Sequence, residues 1–193
     1  MMNPWNLPVA LEVAGTEYEI RTDFRAVLDI ISAFGDPELP DYAKNQVMLE
    51  ILYVTVPPDE HLEEAAKKAI WFIDCGRETD DKDDKPKPRT MDWEQDAAII
   101  FPAVNKIAGY ETRNPHQYTH WWTFMGYFNE IGDGLFSQVL SIRQKKAKGK
   151  KLEKWEQEFY TENRELINLK ANISEEERDL RKKEQAAVDA LFW

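Results

Sequence analysis

The sequence has a single cysteine, Cys75, among 193 residues. One thiol excludes an internal disulfide framework and any zinc site built from several cysteines. Glycine is scarce as well, at 8 residues, and none of them falls into GxxxxGK[ST], GxGxxG or GxSxG. The phosphate cradle, the dinucleotide turn and the nucleophile elbow that those patterns encode are missing. HExxH is absent too. No apolar run approaches the roughly 20 residues that a membrane-spanning helix needs. The opening MMNPWNLPVALEV carries no basic leader and no apolar stretch ahead of a small-residue cleavage site, so the sequence predicts no signal peptide and an intracellular protein.

Positive charge is in the minority: 25 Lys and Arg stand against 36 Asp and Glu, a net of -11. Its distribution is uneven. Residues 1–90 hold 10 basic and 19 acidic side chains (net -9), residues 91–140 hold 2 and 6 (net -4), and residues 141–193 hold 13 and 11 (net +2). An acidic field repels nucleic acid and anionic membrane, so any binding of that kind is confined to the C-terminal third. Against these shortages, 42% of the residues are apolar and 12% aromatic, which is enough for a sizeable core.

Val9, Leu11 and Val13, then Tyr18 and Ile20, alternate with polar or small residues around Ala14-Gly15-Thr16, the pattern of a β-hairpin with a short glycine turn. Thr22 or Asp23 is placed to cap a helix whose apolar stripe is Phe24, Val27, Leu28, Ile31 and Phe34. Asp41 is placed to cap a second helix through Val54, ended by Pro57-Pro58. Pro58 opens a third helix that runs to Ile73. Residues 76–90, GRETDDKDDKPKPRT, contain no aliphatic or aromatic side chain and read as a solvated linker or long loop. Beyond it, Asp92 is placed to cap a helix through Ile107 with Pro102 as an expected kink or break. Asn114-Pro115 is expected to start an aromatic helix. A short helix spans Leu135–Ile142, the basic run RQKKAKGKK follows, and two last helices are expected, the second with a capping box at Ser174 and Glu177. The fold class is mainly α, a helical bundle with a short N-terminal β-hairpin. Its organisation reads as a hairpin with helices over 1–76, a charged connector over 77–91 and a helical region over 92–193.

Five candidate sites follow. His116 and His120 are spaced as i,i+4 metal ligands, but Gln117 stands where a zinc protease has Glu and no third ligand is near, so they read as surface or packing histidines and no metal is expected. The block Tyr118, Trp121, Trp122, Phe124, Met125, Tyr127, Phe128 is apolar almost all round, which suits a central core helix or, on one face, a docking surface. The cluster Arg143, Lys145, Lys146, Lys148, Lys150 and Lys151 is a candidate electrostatic contact, with a phosphate backbone or with an acidic partner; Glu153, Glu156 and Glu158 follow it and partly compensate it. Cys75 lies beside Asp74 and reads as structural rather than nucleophilic. The acidic runs Glu60–Glu64 and Asp80–Asp84 lie on an exposed helix start and in the connector, not in a pocket. The residues therefore indicate no enzyme, no catalytic residue and no cofactor.

The order His120-Trp121-Trp122-Thr123-Phe124, then Phe128, Leu135 through Arg143, KKAKGKKL, and a Glu-rich helix with Phe159, Tyr160 and Asn163 resembles the "Gp-fifteen" family of siphovirus and prophage tail modules. Trp5 to Pro8, the hairpin, and Asp23 to Arg25 are similar in layout. The resemblance implies a gene just before that of the tape-measure protein, where tail assembly chaperones are encoded. It implies no catalytic residue. The expected partners are the tape-measure or other tail proteins, in the cytoplasm of the infected or lysogenic host. Trp121, Trp122, Phe124 and Phe128 are then the candidate partner-binding residues, with helix 117–131 as the groove-former. The alternatives are a nucleic-acid-binding accessory protein using the turn at 143–151, and a minor structural component of the tail.

Overall fold

The computed structural model describes residues 5–77, 88–171, 173, 174, 177, 179, 180, 182 and 183. Strands β1 (Ala10–Val13) and β2 (Thr16–Glu19) pair antiparallel, with Leu11 opposite Tyr18. The two-residue turn places Ala14 at φ 50° and Gly15 at φ 76°. Both central residues of a tight hairpin turn of this hand need positive φ, which glycine accepts without strain. Eight helices follow among the described residues: α1 (Phe24–Gly35), α2 (Asp41–Leu52), α3 (Leu62–Ile73), α4 (Ala97–Ala108), α5 (Trp121–Asn129), α6 (Leu135–Ala147), α7 (Lys154–Glu162) and α8 (Arg164–Ile167). The fold is mainly α with an N-terminal hairpin, as the sequence predicts.

Asp23 caps α1, its carboxylate accepting the Arg25 N–H. The buried face of α1 is Phe24, Val27 and Ile30, with Leu28 and Ile31 at its edge and Phe34 exposed where the helix runs off the core. Arg21 donates to the carbonyls of Glu50, Ile51 and Tyr53, setting a cation on the negative end of α2. The stretches on either side of residues 78–87 share one hydrophobic core. Leu11, Phe24, Leu52 and Phe72 from the first join Ile100, Trp121, Phe124, Ile142 and Ile167 from the second. The Phe24 and Phe124 rings stack at 4.3 Å.

Several boundaries differ from expectation, each for a local reason. Asp41 is the first residue of α2 rather than its cap, which is Pro40. Asp92 caps only a single turn, accepting the Gln95 N–H at 2.6 Å, and α4 starts five residues later at Ala97. Pro102 lies inside α4 without interrupting it. The aromatic helix starts at Trp121 and not at Asn114-Pro115. Two competitors take the groups that an earlier start needs. The Asn114 side chain accepts the His116 N–H, closing a local turn. The Arg25 guanidinium binds the Thr112, Asn114 and Gln117 carbonyls. In the other direction, α6 continues past Ile142 to Ala147. It ends in a Schellman turn: Gly149 at φ 63° donates to the Lys146 carbonyl and Lys150 to that of Lys145. The segment 152–169 is broken at Asn163 into α7 and α8. In the last segment the Glu177 N–H donates to the Ser174 hydroxyl, half of the expected capping box. Glu177, Asp179, Leu180, Lys182 and Lys183 are helical, while the other residues of that segment from 175 on, and Asp80–Asp84, lie outside the described residues.

Candidate functional site

The junction between the two stretches is built around the start of α5. Phe24 N–H donates to the Thr119 carbonyl and Trp121 N–H to that of Thr22, so the chain entering α1 and the chain entering α5 are bonded side by side. His120 caps α5. Its Nδ1 accepts the Trp122 N–H at 3.1 Å, which leaves the proton on Nε2, 2.9 Å from the Pro8 carbonyl. Burial pushes this imidazole below its ordinary pKa. His116 is exposed in the turn before it, so the two histidines do not share a helix face. Among the described residues no group of His, Cys, Asp and Glu is placed to hold a metal ion.

The four aromatic candidates have different fates. Trp121 and Phe124 are core residues, 2% and 0% exposed. The indole N–H of Trp121 donates to the Ile73 carbonyl and that of Trp122 to the Phe72 carbonyl, both at 2.8 Å, so the pair seals the end of α3. Gly76, at φ 76°, lies against Trp122: a Cβ there would meet the indole ring at 3.0 Å. Trp122 and Phe128 are both half-buried, and the one at the far end of α5 is Phe128. Half-buried against Trp93 and Phe136, it lines a groove of about 290 Å³ between the end of α5 and α6. Cys75 sits beside this junction with its thiol pushed up to about 11 by burial, so it stays protonated at neutral pH.

The basic run also divides. Arg143 is buried and does not join a surface cluster. Its guanidinium holds both oxygens of the fully buried Asp96 carboxylate, at 2.6 and 2.8 Å, and donates to the carbonyls of Ile167, Leu166 and Thr90. This clamp joins α4, α6 and α8. It has no signal in local spacing, because the partners are 47 residues apart. Lys145 pairs at 2.6 Å with Glu156, whose side chain also accepts the Glu153 N–H in the capping box of α7. Both bonds hold the Glu156 carboxyl below the usual carboxylate range. Lys146 reaches Asn168 and lies 3.7 Å over the Tyr160 ring. Lys148, Lys150 and Lys151 are exposed, and among the described residues their side chains have no partner.

The arrangement defines a mainly helical protein whose buried polar groups serve to fasten elements together. Its surface includes, among the described residues, the uncharged groove beside Phe128 and a turn whose Lys148, Lys150 and Lys151 have no partner. The chain belongs to the Bacteriophage Gp15 protein family, whose model matches residues 5–169, from ahead of the hairpin to just past α8. No curated protein and no solved structure matches it. Among the described residues no helix is long and apolar enough to cross a membrane.

Proposed function

We propose that the protein is a non-enzymatic tail assembly factor, a chaperone or accessory protein that acts with the tape-measure protein in the host cytoplasm. Family membership over residues 5–169 carries this reading. The side chains best suited to catalysis support it by being occupied elsewhere: His120 caps a helix, Cys75 keeps its proton, and Asp96 and Arg143 neutralise each other inside the core. The half-buried groove beside Phe128 offers the surface an assembly factor needs. The nucleic-acid alternative had six cations to draw on: Arg143 is buried on Asp96, Lys145 is paired with Glu156, and of the four that stay exposed Lys146 is engaged with Asn168 and Tyr160. Co-expression with the tape-measure protein of the same phage tests the reading. Stable co-purification, with more tape-measure protein in the soluble fraction, is the expected result; no complex and no gain in solubility removes it.

A further inference from the structure

The groove between α5 and α6 has a built pattern. Phe136 forms its floor, and Phe128, Ile131 and Leu140 are its half-buried apolar walls. Ser141 and Gln144 complete the rim without charge, in a protein whose residues are 32% charged. On α6 these positions, 137, 140, 141 and 144, recur at three and four residues, so they form one straight face. Lys148 follows Gln144 by four residues and continues that face past the helix end, with exposed Lys150 and Lys151 in the next turn. At the other end of the groove stand the exposed acids Glu130 and Asp133. The face is therefore apolar in the middle, negative at the start of α6 and positive at its end.

We propose that this groove docks an amphipathic α-helix of a partner protein, antiparallel to α6, with an i, i+3, i+4, i+7 apolar stripe and an acidic first turn. The partner's source rests on the assembly reading; its chemistry does not. A helix fits because one wall is itself a helical ridge, and ridges seat in grooves of the same period. From Phe136 to Lys148 the face is about 18 Å long at 1.5 Å per residue, which suits about three turns of the partner. Charge sets the direction. Running antiparallel, the partner's first turn lies over Lys148, Lys150 and Lys151 and its last turn over Glu130 and Asp133. Acids in the first turn and cations in the last also suit the partner's own dipole.

The probe is a fluorescein-labelled synthetic peptide of about three turns, with Glu in its first turn, a Leu stripe and Lys in its last turn. Its anisotropy is followed with the full-length protein at about 50 mM salt, where surface charges are weakly screened. Saturable binding is expected. Leu140→Glu should weaken it about tenfold or more, as loss of a central apolar contact does. Lys148→Glu should weaken it about threefold, and exchanging the peptide's acidic turn for Lys should restore affinity to that variant alone. If Leu140→Glu fails to fold by circular dichroism, Ser141→Arg on the exposed rim replaces it. Equal binding of a peptide whose Leu stripe is changed to Ser overturns the proposal. So does a wild-type dimer in light scattering that Ser141→Arg turns into monomer, since the occupant is then a second copy. The assembly reading fails separately. If wild type and Leu140→Glu both co-purify with the tape-measure protein, the groove proposal fails and the assembly reading stands. If neither does but the peptide shows the charge exchange, the groove proposal stands alone.

Discussion

Helix α6 has two faces that the sequence writes in nearly the same alphabet. The inner face sets Val139, Ile142 and Arg143 against α4 and α8, and every polar atom on it is bonded. The outer face carries Leu140, Ser141 and Gln144 into the groove and ends at Lys148. Each face has aliphatic side chains and a cation. The neighbours make the difference: on one side a buried carboxylate and two orphan carbonyls near the end of α8 meet the cation, and on the other solvent does. A cation is thus a structural part or a free contact according to what lies across from it, and substitutions should separate the two faces sharply.

The largest effect is expected at the inner cation. Asp96→Ala leaves the Arg143 guanidinium buried without its counter-charge, which should cost about 3–5 kcal/mol in urea denaturation. The double change Asp96→Leu with Arg143→Met removes both charges and should recover a large part of that loss. A single-substitution cost below about 1 kcal/mol would mean the clamp is wet, and the contrast between the faces would fail.

Next come the aliphatic positions two residues apart. Ile142 is fully buried, so Ile142→Ala should cost about 2–5 kcal/mol through lost contacts and the cavity left behind. Leu140 is only partly buried, and Leu140→Ala should cost less than Ile142→Ala, about 1.5 kcal/mol in the same titration. Similar costs for the two would show the groove closed in solution.

This asymmetry explains what was legible from the sequence. The hairpin and α1 were readable because their information is local: period-2 alternation about Gly15 and the Asp23 cap with its stripe. Pro58, expected to open the third helix, instead precedes a 3-10 turn over Asp59–His61, and α3 begins at Leu62. The start of α5 was not readable. Asn114-Pro115 is a sound helix signal, but Arg25 takes the carbonyls at 112, 114 and 117 from about 90 residues away. The fate of the basic run was hidden in the same way. Counting cations from Arg143 to Lys151 treats them as one cluster, whereas Asp96 and Glu156 pair off Arg143 and Lys145, and Tyr160 engages the exposed Lys146. For the aromatic block, Trp121 and Phe124 as core followed from its all-round apolarity. That its far end, at Phe128, faces a groove depends on where α6 packs.

A smaller effect should appear at the sealed junction as a pH dependence. His120 is neutral in the folded chain, where its Nδ1 accepts the Trp122 N–H, and burial holds its pKa below the ordinary 6.5. The unfolded chain therefore takes up a proton that the folded chain resists. Its contribution is full above about pH 6.5 and declines as the pH falls below that value toward the folded-state pKa. His120→Asn keeps a capping side chain and removes the titration. Urea midpoints from pH 7.5 down to 5.5 should fall for wild type and stay flatter for the variant; parallel curves would place the pH dependence elsewhere.

The smallest effects belong to the outer cations, and they discriminate most finely. Lys148→Ala and Lys150→Ala should each change stability by no more than about 0.5 kcal/mol, since both side chains are exposed and neither has a partner among the described residues. Lys145, only three residues from Lys148, should behave differently, because its loss leaves the buried Glu156 carboxylate without its cation. The pH sign follows from the lowered Glu156 pKa: the stability this carboxylate contributes is present above its unfolded value of 4.5 and is lost as the pH falls through the folded one. Lys145→Ala should therefore lower the urea midpoint at pH 7 and flatten its decline between pH 5 and 3, while Lys148→Ala leaves that curve superimposed on wild type. Identical curves for the two alanine variants would mean that the basic run behaves as one solvated cluster after all, and that only Arg143 separates the faces of α6.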